Sequence, residues 1–265
     1  SGRLELAEAI VDRHNPLTAR VIVNRICGQL FGQHLVATPS NFGTLGERPT
    51  HPELLDDLAV RFMDEGWSLK RLIREIVLSA TYQQSSLAAP DSLQRDPDNR
   101  YLSRLNRRRL TVEQWRDGVL LAAGQLSREV GGKSIDIDDP EQSRRTIYTK
   151  VSRFELNPML SMFDFPDPNV HAAQRVETTT ALQRLFHMNS PFMTAQATRL
   201  AKRVLQQSEP FDERLELAYR LVYSRAPSAE EATWAREFVA SGDAQQQWQQ
   251  FAQLLLISNE MIYID

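Results

Sequence analysis

Cysteine is nearly absent: Cys27 is the only one in 265 residues. That excludes an intrachain disulfide, a cysteine-based zinc knuckle and a C-x-x-C-H haem attachment in this chain. A lone cysteine in an apolar stretch reads as a small core residue. Neither sign of charge dominates, because 31 basic side chains face 34 acidic ones for a formal charge of -3. The molecule therefore has no global field to gather nucleic acid or anionic lipid, and no nucleic-acid partner is expected. No run approaches the ~20 consecutive apolar residues of a membrane helix, so no membrane span is expected either. The five histidines, His14, His34, His51, His171 and His187, show no H-x-x-x-H or H-E-x-x-H spacing, which leaves no metal site to assign. A G-x-S-x-G nucleophile elbow is missing as well. No catalytic residue is assigned.

What the sequence does have is helical grammar, with a hydrophobic share of 42% that can fill a proper core. Residues 4–12 read as a helix, and Asn15-Pro16 offers an N-cap and a first-turn proline for a second over 17–31. Val21, Val23, Ile26, Cys27 and Leu30 nearly surround this second helix, so it should be buried on most sides, with Asn24 and Arg25 in its middle. A buried arginine needs a partner, and Arg25 reads as half of a structural ion pair. Thr50 and Glu53 have the S/T-x-x-E spacing of a capping box, with Pro52 in the first turn. Leu54, Leu55, Leu58, Ala59, Phe62 and Met63 follow at helical spacing. Glu53 thus has a structural role, and His51 is left as a first-turn side chain that a ligand could meet. Gly66 stops that helix and Ser68 caps the next, over 69–80, giving an antiparallel hairpin with Trp67 at its turn. The same grammar opens helices at Thr111-Val112-Glu113-Gln114, to about 129, and at Ser228-Ala229-Glu230-Glu231, to about 241.

Residues 130–175 break the pattern. Ile135 and Ile137, then Ile147, Thr149 and Val151, alternate with polar residues, which predicts a small β-hairpin lying on helices. Helices resume over 178–188, 192–207, 211–223 and 247–263. The expected fold is mainly α: two packed helical lobes, residues 1–129 and 176–265, joined by an irregular middle segment, 130–175, in one compact unit. The chain opens Ser1-Gly2-Arg3 without a methionine, and it is read as a fragment of a longer polypeptide.

Four features have residue types that could carry chemistry. Gly132-Lys133-Ser134 resembles the end of a phosphate-binding loop, but Ser127 stands where that motif needs glycine and a helix precedes it. Asp136, Asp138, Asp139 and Glu141 cluster oxygen ligands without the glycine and distal glutamate of a calcium loop, and read as a solvated acidic loop. Arg100, Arg104, Arg107, Arg108 and Arg109, with Tyr101 between, read first as a structural hub for surrounding acids and second as a patch for phosphate, sulfate or carboxylate. The connection over 32–49 is longer than compact domains usually carry without function, and it holds His34, Asn41, Phe42 and Gly43. A site in the N-terminal lobe is expected there; the alternative is that the loop packs over the hairpin.

The stretches NPLTARVIVNRICGQLFG, LVATPSNFGTLGERPTHPELLDDLA, GWSLKRLIREIVLSATYQQSS, RRTIYTKVSR and LLISNEMIYID resemble a planctomycete-type C-terminal domain of unknown function. Cys27 and Asp57 stand where that family usually has tryptophan, and His34 where glycine is usual, which counts against His34 as a shared functional residue. Its recurrent polar residues correspond here to Asn24, Arg25, His51, Glu53, Arg116 and Asp117. The resemblance implies an exported, extracytoplasmic protein in which haem belongs to an upstream cytochrome-c-like domain and no cofactor to this fragment. The expected function is a non-catalytic interaction module that packs on the upstream domains of the same polypeptide or docks an envelope protein. The alternative is a ligand-binding or hydrolytic domain for an anionic polymer such as a sulfated polysaccharide. Candidate ligand-binding residues are Arg25, Asn41, His51, Arg107, Arg108 and Arg109. Asn24, Thr50, Glu53, Arg116 and Asp117 are expected to be structural.

Overall fold

Apolar side chains three and four apart put one face of most helices into a core, and in the computed structural model this produces two separate cores, to which the helices Arg3–Val11 and Pro90–Arg95 add no buried residue. The structure describes residues 2–207 and 210–264. Ser1 and Asp265, the outer ends of the expected first and last segments, lie outside them. Among the described residues there are thirteen α-helices and a two-stranded sheet, so the fold is mainly α. The chain separates into two compact units, one up to Arg108 and the other Arg109–Ile264. The irregular middle and the helix that follows Thr111 both fall within the second unit.

The first unit contains α1 (Arg3–Val11), α2 (Thr18–Phe31), α3 (Pro52–Asp64), α4 (Leu69–Leu78) and α5 (Pro90–Arg95). Its core joins Val23, Cys27 and Phe31 of α2 to Leu55, Leu58 and Phe62 of α3 and to Leu72 and Ile76 of α4. Asn24, not Arg25, is the polar residue buried in α2; Arg25 is exposed, and the expected buried ion pair does not form. The buried arc of α2 carries Ala19, Val23, Asn24, Cys27 and Phe31, and Arg25, about 100° further round than Asn24, falls outside it. Asn24 donates Nδ2–H to the Val36 carbonyl at 3.0 Å and accepts from the Val36 N–H at 2.8 Å, which pins the start of the long loop.

The turn between α3 and α4 closes on two backbone bonds, Trp67 N–H to the Phe62 carbonyl and Gly66 N–H to the Met63 carbonyl. This is the Schellman arrangement, with Gly66 left-handed at φ 73 and the Phe62 and Trp67 rings edge to face at 5.3 Å. The Ser68 side chain caps α4 by accepting from the Arg71 N–H. The box expected at Thr50 and Glu53 does not form. Pro52 occupies the first turn of α3 and makes His51 the N-cap residue, which places Thr50 one position too early. Thr50 instead bonds the Leu35 carbonyl through its backbone N–H and its hydroxyl, closing the base of the loop.

The second unit contains α6 (Val112–Ala122), α7 (Pro158–Met162), α8 (Ala181–Asn189), α9 (Pro191–Gln207), α10 (Phe211–Tyr223), α11 (Ala229–Ala240), α12 (Ala244–Ile257) and α13 (Asn259–Ile262). Phe192, Met193, Leu200 and Val204 of α9 meet Trp248, Phe251, Leu255 and Leu256 of α12 in its core, with Trp115 and Leu120 of α6. Capping boxes start α6 at Thr111 and α11 at Ser228. β1 (Arg108–Arg109) pairs with β2 (Tyr263–Ile264), and Leu110 N–H extends the pairing to the Ile262 carbonyl at 2.8 Å.

The β-hairpin expected in the middle segment is replaced by isolated parallel bridges, Ile135 with Thr149 and Ser127 with Arg144, and by a 3-10 turn over Thr146–Tyr148. Buried Arg116 of α6 is the cause: its guanidinium donates to the Gln142 and Arg144 carbonyls and the Thr146 hydroxyl. Asp117 accepts from the Thr146 N–H and hydroxyl, both at 2.7 Å. The incoming strand is thereby held in the direction that α6 dictates.

Candidate functional site

The expected last helix over 247–263 is two helices. Ser258 breaks it with extended backbone, and its hydroxyl caps α13 at the Met261 N–H while accepting from Tyr223. The break carries Ile257, Asn259, Ile262 and Tyr263 onto one wall of a cavity of about 150 Å³. The opposite wall is α8, which supplies Gln183, Arg184, His187 and Met188. Gln183 and His187 are one helical turn apart and share a face. A capping box between Thr180 and Gln183 sets where that face begins.

Arg109 joins the walls. Its Nη1 donates to the Thr178 carbonyl and, at 2.7 Å, to Gln183 Oε1, and its guanidinium lies 5.6 Å from the Phe163 ring centre. Gln183 is itself fully employed, donating to the Met162 carbonyl at 2.7 Å and to Asp164 at 3.2 Å. His187 is 3% exposed and stands edge-on to Trp115, at 4.5 Å between ring centres, and to Phe163, at 5.2 Å. Neither of its ring nitrogens has a hydrogen-bond partner among the described residues. Burial, with Arg109 and Arg184 nearby, pushes its pKa from 6.5 down to about 4, so the ring is neutral at pH 7 and offers one donor and one acceptor. The lining holds two guanidinium groups and no carboxylate. Such a site can hold and orient an anionic group beside an apolar wall.

Of the residues expected from sequence, only Arg109 lines this cavity. Arg25 is exposed on α2, and its charge, after burial, helps to lower the His34 pKa. Asn41 is exposed in the loop, where its side chain accepts from the Gly43 N–H at 3.1 Å. His51 bonds the Thr50 hydroxyl at 2.9 Å and stands edge-on to Tyr101. Glu53 is exposed in the first turn of α3, where its charge suits the helix dipole. Arg107 is exposed.

The arginine run contacts carbonyls: Arg104 binds those of Asp96 and Pro97, Arg108 that of Gln29 near the end of α2, and Arg109 that of Thr178. Carbonyls left unpaired at helix ends attract a guanidinium as a carboxylate would. Cys27 is buried, with its thiol pushed up to about 12 by burial, which makes it a core residue and a poor nucleophile. Among the described residues no group of three or more histidine, cysteine, aspartate or glutamate side chains is placed to hold a metal ion.

His187, Arg184 and Tyr263 were not singled out from sequence. The signal that could have found His187 is the T-x-x-Q box at Thr180, which starts α8 and puts Gln183 and His187 on its inner face. Comparison with curated proteins and with solved structures gives no match. A protein-family profile described as PSD1, protein of unknown function (DUF1553), matches residues 2–239. That match spans most of the sequence, and the chain belongs to the PSD1 (DUF1553) family of proteins of unknown function.

Proposed function

We propose that this domain is a non-catalytic interaction module, an accessory part of a large exported, cytochrome-associated protein of planctomycete type, and that it docks on upstream domains of the same polypeptide. The observation that carries this reading is the outer face of α8, where Leu182 and Leu185 are 64 and 51% exposed. They follow one another at helical spacing on the side away from Gln183 and His187, where a surface helix ordinarily keeps polar residues. A contiguous exposed apolar stripe of this kind marks a contact surface. The sequence resemblance supplies the neighbouring domains, the haem in one of them and the extracytoplasmic setting. Hydroxyl-radical footprinting of this chain alone and joined to the upstream domains tests the reading. Labelling of Leu182 and Leu185 is expected to fall in the longer protein, and equal labelling in the two would refute docking through α8.

A second reading, binding of a sulfated polysaccharide, is favoured by an open groove of about 530 Å³ lined by Gln125, Arg199, Lys202, Arg203, Gln206 and Gln207, with no acid. Arg199 is paired with Glu141 and Arg203 holds the Leu121 and Ala122 carbonyls, so Lys202 is the cation to test. Lys202→Glu is expected to weaken binding of a sulfated oligosaccharide at low salt, and unchanged affinity would remove the groove from consideration.

A further inference from the structure

Docking through the outer leucines of α8 makes no use of the cavity on its inner side. That cavity has an apolar wall of Met188, Ile257, Ile262 and Tyr263, two cations in Arg109 and Arg184, and no acid. His187 borders it, 3% exposed, with both nitrogens unpartnered among the described residues. Those nitrogens are closed off from the cavity, so His187 borders it as a neutral ring and the polar contacts to a ligand fall to the two guanidinium groups. Both bonds from Arg109 to its neighbours run through Nη1, so its Nε and Nη2 donors are not engaged among the described residues. Positive charge beside a low-dielectric wall favours an anion, and a guanidinium fork matches a planar carboxylate. The volume of about 150 Å³ is of the size that, in engineered apolar cavities, takes a single benzene ring.

We propose that this cavity binds an organic carboxylate, with the acid group held by Arg109 and Arg184 and a single ring or a branched aliphatic body against Met188, Ile257 and Ile262. A free small acid and the carboxyl-terminal residue of a polypeptide present this same chemistry.

The test is calorimetry and NMR on the 265-residue chain with benzoate, isovalerate and benzamide as probes. At least one of the two acids is expected to bind saturably and to move the His187 ring and Met188 methyl signals, with benzamide about tenfold weaker or more than benzoate if benzoate is the binder. Arg184 is exposed, so Arg184→Gln keeps the fold and is expected to weaken the binding acid about tenfold, the loss of one charge-assisted hydrogen bond.

No saturable binding by either acid, benzamide equal to benzoate, or affinity unchanged by Arg184→Gln would each overturn the proposal. A peptide ending in leucine, as free acid and as amide, separates the two sources. A peptide acid that binds more tightly than the small acids, with its amide silent, supports a polypeptide terminus; small acids that bind more tightly support a free acid. Footprinting of α8 is a separate measurement, so the docking reading and this one fail independently.

Discussion

Lowering the pH should unfold the second unit through His187. The ring is 3% exposed in a cage of Trp115, Phe163 and Phe186, and burial is the first cause of a pKa depressed from 6.5 to about 4. Arg109 and Arg184 add to that depression. Between those two values the unfolded chain carries a proton that the folded chain refuses, so stability rises with pH across the window. The contribution is complete above about pH 6.5 and is lost progressively as the pH falls toward 4. A shift of this size corresponds to about 3 kcal/mol, a large share of the stability of an ordinary domain.

The assay is urea unfolding at pH 7, 6, 5 and 4 followed by tryptophan fluorescence, which reports mainly the second unit because Trp115, Trp234 and Trp248 lie there and only Trp67 in the first. The comparison protein is His187→Phe, which keeps an aromatic ring in the cage and removes the titrating group. Carboxylates also lose stabilisation in acid; Glu231, held down to about 2 by its bonds from Arg225, is the clearest case. They are common to both proteins and cancel in the difference. The wild type is expected to lose about 3 kcal/mol more than the variant between pH 7 and pH 4. Parallel stability curves would refute the reasoning, as would a His187 ring signal that titrates near pH 6.5.

Three further substitutions test the scaffold. Gly66→Ala forces a Cβ onto left-handed backbone at φ 73 and should destabilise the first unit by about 1 kcal/mol, read as a lower urea midpoint for the Trp67 signal. Asn24→Leu removes both bonds to buried Val36 and should cost about 2–3 kcal/mol, with faster amide exchange at Val36 and Thr50; a cost below about 0.5 kcal/mol would show that the loop is held by other means. Arg116→Met leaves the Gln142 and Arg144 carbonyls without their buried donor and should cost about 3 kcal/mol, with loss of exchange protection at Ile135 and Thr149.

Elements whose determinants lie within one or two helical turns were legible in the sequence. The stripe of Leu55, Leu58 and Phe62, the glycine at position 66 and the boxes at Thr111 and Ser228 each act on neighbours a few residues away, and each forms as read. The reading failed where two local signals competed or where a distant residue decided. Pro52 overrode the Thr50 box by fixing the helix start one residue later. Asn24 lies within the buried arc of α2 and Arg25 about 100° beyond it, and the short amide is accommodated because it satisfies both backbone groups of Val36. Alternation around Ile135 and Thr149 marked segments that do meet, but Arg116 and Asp117 impose a parallel bridge where alternation predicted a hairpin.

The candidate site was hidden for the second of these reasons. Its residues come from three places, Arg109, the 179–188 stretch and the 257–263 stretch, and no spacing rule links them. An arginine run counts as one patch in the sequence, yet Arg108 turns to the Gln29 carbonyl and Arg109 to Thr178 and Gln183, so the cluster had no collective meaning. His187 showed no ligand spacing because its surroundings are rings from α6 and α8 and the Phe163 that follows α7. What marks it is the conflict between a titratable side chain and an apolar cage that gives it no partner. A core selected only for stability would put phenylalanine there, since an unmatched buried imidazole costs free energy that a fourth ring beside Trp115, Phe163 and Phe186 would not. The proposed anion binding therefore rests on Arg109 and Arg184, two guanidinium groups beside an apolar wall with no carboxylate in the lining to neutralise them.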